Sequence, residues 1–254
     1  MAAAKGRLAR FDERVSLRHA RFDAISRTVR ELGVEQVSAC LFDLGVSSPQ
    51  LDQPERGFSY RNDGPLDMRM DRSRGITAAD LVNGTDEAEL ARILRANADE
   101  RHAGRIARAI VAARPISNTV ALATIVRDAV PAAARRTGGH PARRTFQAIR
   151  IEVNDELAIL EHALRQALDL LAPHGRCAVL AYHSGEDRIV KRVFREAAGD
   201  APRPRPDLPP PPGSDATVAL VWRGVTTPSD AEIARNPRAE AARFRAVEKL
   251  AAVA

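Results

Sequence analysis

The chain has 254 residues, 44% of them hydrophobic and 28% charged, and a net charge of +6 carried far more by arginine than by lysine. That length allows one large domain, or one domain with an insertion, and enough chain to bury a core. No apolar run is long enough to span a bilayer, and the start MAAAKGRLARFDERV has no secretory apolar stretch, so the expected location is the cytoplasm, with no membrane partner. The basic excess points to a polyanionic partner only where the arginines cluster. Cys40 and Cys177 each lie inside an apolar run. They read as buried reduced thiols rather than a disulfide or a metal site, and no metal-ligand spacing is present.

Residues 14–20, RVSLRHA, alternate like a short strand. Residues 23–32 read as a helix with Ile25, Val29 and Leu32 on one face and Gly33 at its end. The apolar run from Val37 to Phe42 then ends in Asp43 and breaks into a long polar loop. This pattern predicts a buried strand that delivers a carboxylate to its own carboxyl end. In an open α/β sheet, ligands bind in the crevice beyond those ends, which would put Asp43 at its lip. The loop through Asp71 is either the lining of a polar site or a solvated connection.

From Thr77 to Val130 the period becomes helical. The stripes are Leu90/Ile93/Leu94, Ile106/Ile110/Val111 and, after a Ser117 cap, Val120/Ile125/Val126. This reads as a small helical unit inserted between two strands. Arg101, Arg105 and Arg108 share one face, either solvated or in contact with RNA. Residues 131–140 read as a flexible basic linker. From Pro141 one long helix is expected, with Phe146, Ile149, Val153, Leu157, Leu160, Leu164, Ala167 and Leu171 on its buried face as far as Gly175. Arg143, Arg144 and Arg150 lie in its first turns, where they oppose the helix dipole, which suggests a use other than helix stability.

CAVLAY (177–182) reads as a second buried strand, and it runs into His183-Ser184-Gly185-Glu186-Asp187-Arg188. The next helix would pack Ile189, Val190, Val193 and Phe194 inward and turn Arg188, Lys191, Arg192 and Arg195 outward. If the strand ends at 43 and 182 are neighbours, their loops converge on one crevice. His183 is open to two readings, a structural residue at the strand end or a catalytic group. A proline-rich excursion (201–214) follows, then a last strand, ATVALVW (216–222). Asn236-Pro237 then interrupts two short helices, with Arg238, Arg243 and Arg245 as another basic cluster.

FDLGVSSPQLD with ERGFSYRNDGPLDMRMD, then HPARRTFQAIRIEVNDEL, YHSGEDRIVKR and TPSDAEIARNPRA, in that order and spacing, closely resemble the ribosomal RNA small subunit methyltransferase H family over nearly all of the chain. The resemblance implies a Rossmann-like class I methyltransferase sheet of the α/β class with an inserted all-helical subdomain. Residues 1–60 and 141–254 would form the methyltransferase domain and residues 61–140 the substrate-recognition insertion. The implied activity is methyl transfer from S-adenosylmethionine to N4 of a cytosine in the 16S rRNA of the small ribosomal subunit. By position, Phe22, Asp43 and Gln50 would contact the cofactor. Asp43 and His183 become the catalytic candidates, and Arg143, Arg144, Arg150, Arg188, Lys191 and Arg192 would hold RNA phosphates.

The family's first two strands, its glycine-rich loop followed by histidine and its ribose-binding acid have no counterpart in this sequence. The expected sheet is therefore incomplete, with the strand at 14–20 lacking a neighbour, as though the sequence were a fragment or began at an internal methionine. The family's usual leucine in HSLEDR is Gly185. A rival expectation follows, a noncatalytic RNA- or ribosome-binding remnant unable to hold the cofactor. A third is a methyltransferase acting on another nucleic acid or on protein.

Overall fold

A computed structural model describes residues 2–135, 139–200 and 215–251. The proline-rich stretch 201–214 and residues 136–138 of the basic linker lie outside the described residues. Along the chain run α1 (Ala2–Leu8), α2 (Ile25–Arg30), β1 (Val37–Asp43), α3 (Ser48–Asp52), α4 (Ala78–Gly84), α5 (Glu87–Ala98), α6 (Ala103–Ala112) and α7 (Thr119–Ala129). Then come α8 (Ala132–Arg135), α9 (Ala142–Asn154), α10 (Glu156–Leu170), β2 (Leu171–Ala181), α11 (Ser184–Ala197), β3 (Val218–Leu220), α12 (Asp230–Arg235) and β4 (Arg243–Lys249). The class is α/β, as expected, and the chain divides into two compact units, residues 1–44 with 158–254, and residues 45–157. The second unit takes in residues on both sides of the 61–140 stretch. No helix among the described residues is long and apolar enough to cross a membrane.

The first unit holds a four-stranded mixed sheet in the order β1-β2-β4-β3. β1 and β2 are parallel, and β4 runs antiparallel to both β2 and β3. One face carries Phe42, Cys177, Val179, Val247 and Val218. It is covered by Leu160, Ala163, Leu164, Ala167 and Leu168 of α10 and by Val190, Val193 and Phe194 of α11. The helical residues recur every three or four positions, so each helix turns one apolar stripe to the sheet. Strand alternation puts Leu41 on the other face, where it is 68% exposed. Cys40 and Cys177 face each other in the β1/β2 register, and both are free thiols. Burial pushes the Cys177 thiol up to about 12 and also raises that of Cys40. Where the register shifts between Val37 and Ala39, Gly175 passes close to β1. A Cβ there would come within 2.8 Å of the Ala172 carbonyl oxygen and 3.1 Å of that of Ser38, so only glycine fits without displacing backbone.

Four expectations change here. Residues 15–20 form no regular element and follow a 3-10 turn at Ala9–Arg14. An alternating pattern without a strand beside it leaves its backbone groups unpaired and does not become a strand. The last strand shrinks from 216–222 to Val218–Leu220. The second of the two helices around Asn236-Pro237 is replaced by a 3-10 turn at Pro237–Ala239 and strand β4, which is inserted between β2 and β3. The long helix from Pro141 is two helices, broken at Asp155, whose φ of 53° is left-handed. Asp tolerates that conformation better than most residues, because its short side chain bonds locally.

In the second unit, α5, α6, α7 and α9 enclose a core that includes Leu90, Ile93, Leu94, Ile106, Ile110, Leu122, Val126, Phe146 and Ile149. Asn118, not Ser117, caps α7, its side chain accepting from the Ala121 amide at 2.8 Å. The loop between α3 and α4 has little regular structure, yet Phe58, Leu66 and Met68 are buried in the same core. Polar bonds hold it in shape. Met68 has a φ of 58°, a strained value for its side chain. Its amide donates to the Arg56 carbonyl (3.1 Å), and its carbonyl accepts from Asn154 Nδ2 (2.8 Å). The Met70 amide donates to Asn154 Oδ1 at 2.7 Å.

Candidate active site

β1 and β2 are adjacent and parallel, so Asp43 and the turn after Ala181 emerge at the same edge of the sheet, with Asp43 paired in register to Leu180. Tyr182 Oη donates to Asp43 Oδ1 at 3.0 Å. Burial, then this bond, then the charges of Asp43 and Glu186 push the Tyr182 phenol up to about 12, so it stays a donor throughout the physiological range. Asp43 is exposed, and Tyr182 is the sole hydrogen-bond partner of its carboxylate among the described residues.

The next residues build the start of α11. His183 is its N-cap, with Nδ1 accepting from the amides of Gly185 (3.2 Å) and Glu186 (3.4 Å). Glu186 reaches back to accept from the amides of Tyr182 (2.8 Å) and His183 (3.3 Å). This is a capping box with histidine in place of the usual hydroxyl. Because Nδ1 accepts, the neutral ring carries its proton on Nε2. Nε2 lies 3.2 Å from Glu186 Oε1 but out of line for a hydrogen bond. Glu186 is 2% exposed and Asp187 7%. Asp187 is held by Arg245 (Nε to Oδ1 2.7 Å, Nη2 to Oδ2 3.1 Å) and by Arg243 (3.2 Å). Burial raises the Asp187 pKa, but these two guanidiniums outweigh it and hold the carboxyl below its usual range. Arg243 and Arg245 of the expected basic cluster are thus engaged with α11 in charge-assisted, partly bidentate pairs.

Phe22 packs edge-on to Phe42, with centroids 6.3 Å apart and planes at 90°. Successive strand residues point to opposite faces, so the Phe22 ring and the Asp43 carboxylate flank the end of β1 on different sides. Arg188 and Lys191 are exposed on α11. Arg192 is also exposed but pairs with Glu161 of α10 through two bonds, of 2.5 and 2.9 Å. Glu161 is shared with Arg165, and the Arg192 bonds followed by those of Arg165 hold its carboxyl at about 2.

In the second unit, Gln50 Oε1 accepts from the Ser47 amide (2.8 Å) and hydroxyl (3.0 Å), capping α3. Arg143 and Arg144 are exposed at the start of α9. Arg150 is turned inward onto buried Glu156, with bonds of 2.8 and 2.9 Å. Asp67, buried in the loop, pairs with Arg69 (2.8 Å) and Arg72 (3.1 Å). Sequence reasoning missed Tyr182 as the partner of Asp43, and Arg243 and Arg245 as partners of Asp187. A signal for Tyr182 was its place at a strand end matching that of Asp43. Nothing in the sequence marked β4 as the strand beside β2.

The model of the MraW methylase family matches residues 1–250. This chain belongs to the MraW methylase family. It is 54% identical over 250 residues to the ribosomal RNA small subunit methyltransferase H of Thermobifida fusca, covering 97% of this chain and 75% of that protein. The protein of the same name from Salinispora tropica is 53% identical, with 98% of this chain and 68% of the relative covered. That of Renibacterium salmoninarum is 51% identical, with 96% and 74% covered. By family resemblance, then, the MraW-family chain is an enzyme of the methyltransferase class, and its four-stranded mixed sheet is consistent with a methyltransferase fold.

Proposed function

We propose that this chain transfers a methyl group from S-adenosylmethionine to N4 of a cytosine in the 16S rRNA of the small ribosomal subunit, in the cytoplasm. The observation that carries the reading is the Tyr182–Asp43 pair (3.0 Å) at the carboxyl edge of two parallel strands, in a chain whose relatives bear the name ribosomal RNA small subunit methyltransferase H. In this reading residues 1–60 and 141–254 are the methyltransferase domain and residues 61–140 a helical insertion for substrate recognition.

In the first unit Asp43 and Phe22 would hold the cofactor, and in the second Gln50 is a cofactor contact by the family resemblance. The fit rests on chemistry: Asp43 is an exposed acceptor with one oxygen fixed by Tyr182, Phe22 offers an aromatic ring, and the Gln50 amide nitrogen is not used in the α3 cap. Bound S-adenosylmethionine would supply the electrophilic methyl. A cytosine amine is a weak nucleophile because its lone pair is delocalised into the ring. Asp43 would accept a hydrogen bond from that amine, aligning it at an attack distance of about 3–3.5 Å, and would take up the proton released on transfer. Tyr182 would hold the carboxylate in one rotamer. His183, with Nδ1 committed to the helix cap, would fix the turn that carries Tyr182. Phosphate contacts would fall to Arg143, Arg144, Arg188 and Lys191. Arg150 and Arg192, engaged with Glu156 and Glu161, would serve the scaffold instead.

The test is calorimetric titration of S-adenosylmethionine into the chain and into Asp43→Ala, with transfer of labelled methyl to small subunits followed by nucleoside mass spectrometry. Saturable binding that Asp43→Ala weakens, and label on cytosine N4, are expected. The second reading is a noncatalytic RNA- or ribosome-binding protein. A folded chain that binds RNA but not the cofactor would establish that reading instead.

A further inference from the structure

The second unit contains an aromatic stack that the chemistry above does not use. Tyr60 and His140 lie face to face, with centroids 4.6 Å apart and planes inclined by 16°. Behind them Tyr60 meets Phe146 edge-on at 5.8 Å and 80°. Phe146 is a buried core residue, so Tyr60 is anchored from the inside. His140 is anchored as well, because its Nδ1 accepts from the Ala142 amide at 3.2 Å at the start of α9. The residue is nevertheless exposed to solvent. Burial on its inner side, then the charges of Arg61 and Arg127, hold its pKa below the ordinary histidine value, which leaves a neutral flat ring at pH 7. Two exposed arginines act on it: Arg61, whose guanidinium is 5.8 Å from the Tyr60 centroid, and Arg127, which is also paired with Asp128.

A neutral ring on an exposed residue, backed by a second and third aromatic and bordered by guanidiniums, has the composition of a site for an unpaired nucleobase. Single-stranded RNA is bound by stacking splayed bases on Tyr, His or Phe while basic side chains hold the backbone. Simple packing accounts for Tyr60 against Phe146 but not for a second ring, from an exposed residue, laid flat over it. We infer that the Tyr60–His140 stack is a platform on which an unpaired base of the RNA substrate lies. This rests on the RNA-methylating reading, and adds that recognition includes a base flanking the target or in the same loop.

The experiment compares the binding of a fluorescein-labelled single-stranded oligocytidylate with that of an abasic oligoribonucleotide of equal length, using the whole chain, His140→Ala and His140→Phe. Stacking on an aromatic platform is worth roughly 5- to 150-fold in affinity. The chain should therefore bind the base-bearing strand at least about fivefold more tightly. His140→Ala should close that gap, and His140→Phe, which keeps a flat ring but loses the Nδ1 cap, should preserve it. The salt dependence should be the same in all three, because phosphate contacts are untouched. A gap that survives His140→Ala, or that His140→Phe loses as fully as alanine does, overturns the platform while leaving the RNA reading in place. Failure of the unaltered chain to bind either strand, or to label small subunits, overturns the RNA reading and the platform with it.

Discussion

Both units bury carboxylates, and they do so for different ends. In the first unit, Glu186 and Asp187 sit at the join of β2 and α11, where regular elements already fix the backbone, and the charges lock the helix start to β4. In the second, Asp67 belongs to a loop with little regular structure, and paired with Arg69 and Arg72, alongside Asn154, it does the work that strand ladders do elsewhere. The lesson is that a candidate site on a sheet edge inherits its geometry from topology. A polar loop of comparable order must specify its geometry residue by residue.

The largest effect should come from Arg245→Met. It leaves Asp187 buried with only the half-exposed Arg243 as partner and should cost about 3–5 kcal/mol, read as a lower urea midpoint. An unchanged midpoint would mean that the α11 junction does not depend on its charges. Asn154→Ala removes the acceptor for the Met70 amide and the donor for the Met68 carbonyl, at about 2–3 kcal/mol for the two backbone groups. Hydrogen exchange should speed up at Met70 and leave Leu44, bonded to Leu180, unaffected. Equal acceleration at both sites would erase the contrast between loop and sheet. Tyr182→Phe should keep the fold and lose one hydrogen bond to a carboxylate, about 1.5–3 kcal/mol at that pair. It should appear in the affinity for S-adenosylmethionine, or in kcat at unchanged KM if Asp43 acts on the amine.

The smallest effect is electrostatic. Glu161 has a folded pKa of about 2 against an ordinary value of 4.5, a depressed carboxylate, so its contribution is complete above the ordinary value and fades as the pH falls from about 4.5 to about 2. The group is partly solvated, and exposed pairs are worth roughly 1 kcal/mol or less. Acid titration of Glu161→Gln against the unaltered chain should show a slightly shallower loss of stability across that window. No difference in slope would mean that the Arg192 and Arg165 pairs are fully screened.

How much of this was legible in the sequence follows the same division. β1, β2 and α11 could be placed because apolar runs and a 3.6-residue stripe are local signals, and the shared edge of Asp43 and residue 182 followed from parallel-sheet logic, but β1 is not the buried strand its apolar run predicts, since as an edge strand it buries only Phe42. β4 was not legible, because Arg243, Arg245, Glu248 and Lys249 dilute its alternation, and the preceding Ala/Glu/Arg run favours a helix locally until pairing with β2 overrides it. The break at Asp155 had a signal in Asn154-Asp155, two residues that tolerate left-handed backbone, but the apolar stripe continues past them and masked it. His183 could be read either way, since only the structure shows which ring nitrogen the helix amides occupy.

The position of β4 also bears on how the chain is made. β3 pairs with β4 and with no other strand among the described residues, so residues 218–220 have nothing there to join until residues 243–249 have left the ribosome. The 45–157 unit is continuous in sequence and can begin to fold as it emerges, whereas the sheet, beyond the β1–β2 pair, waits for residues 243–249. A nascent chain stalled at about residue 240 should therefore resist protease within 45–157 while the outer edge of β2, and with it the Asp187 junction, stays open.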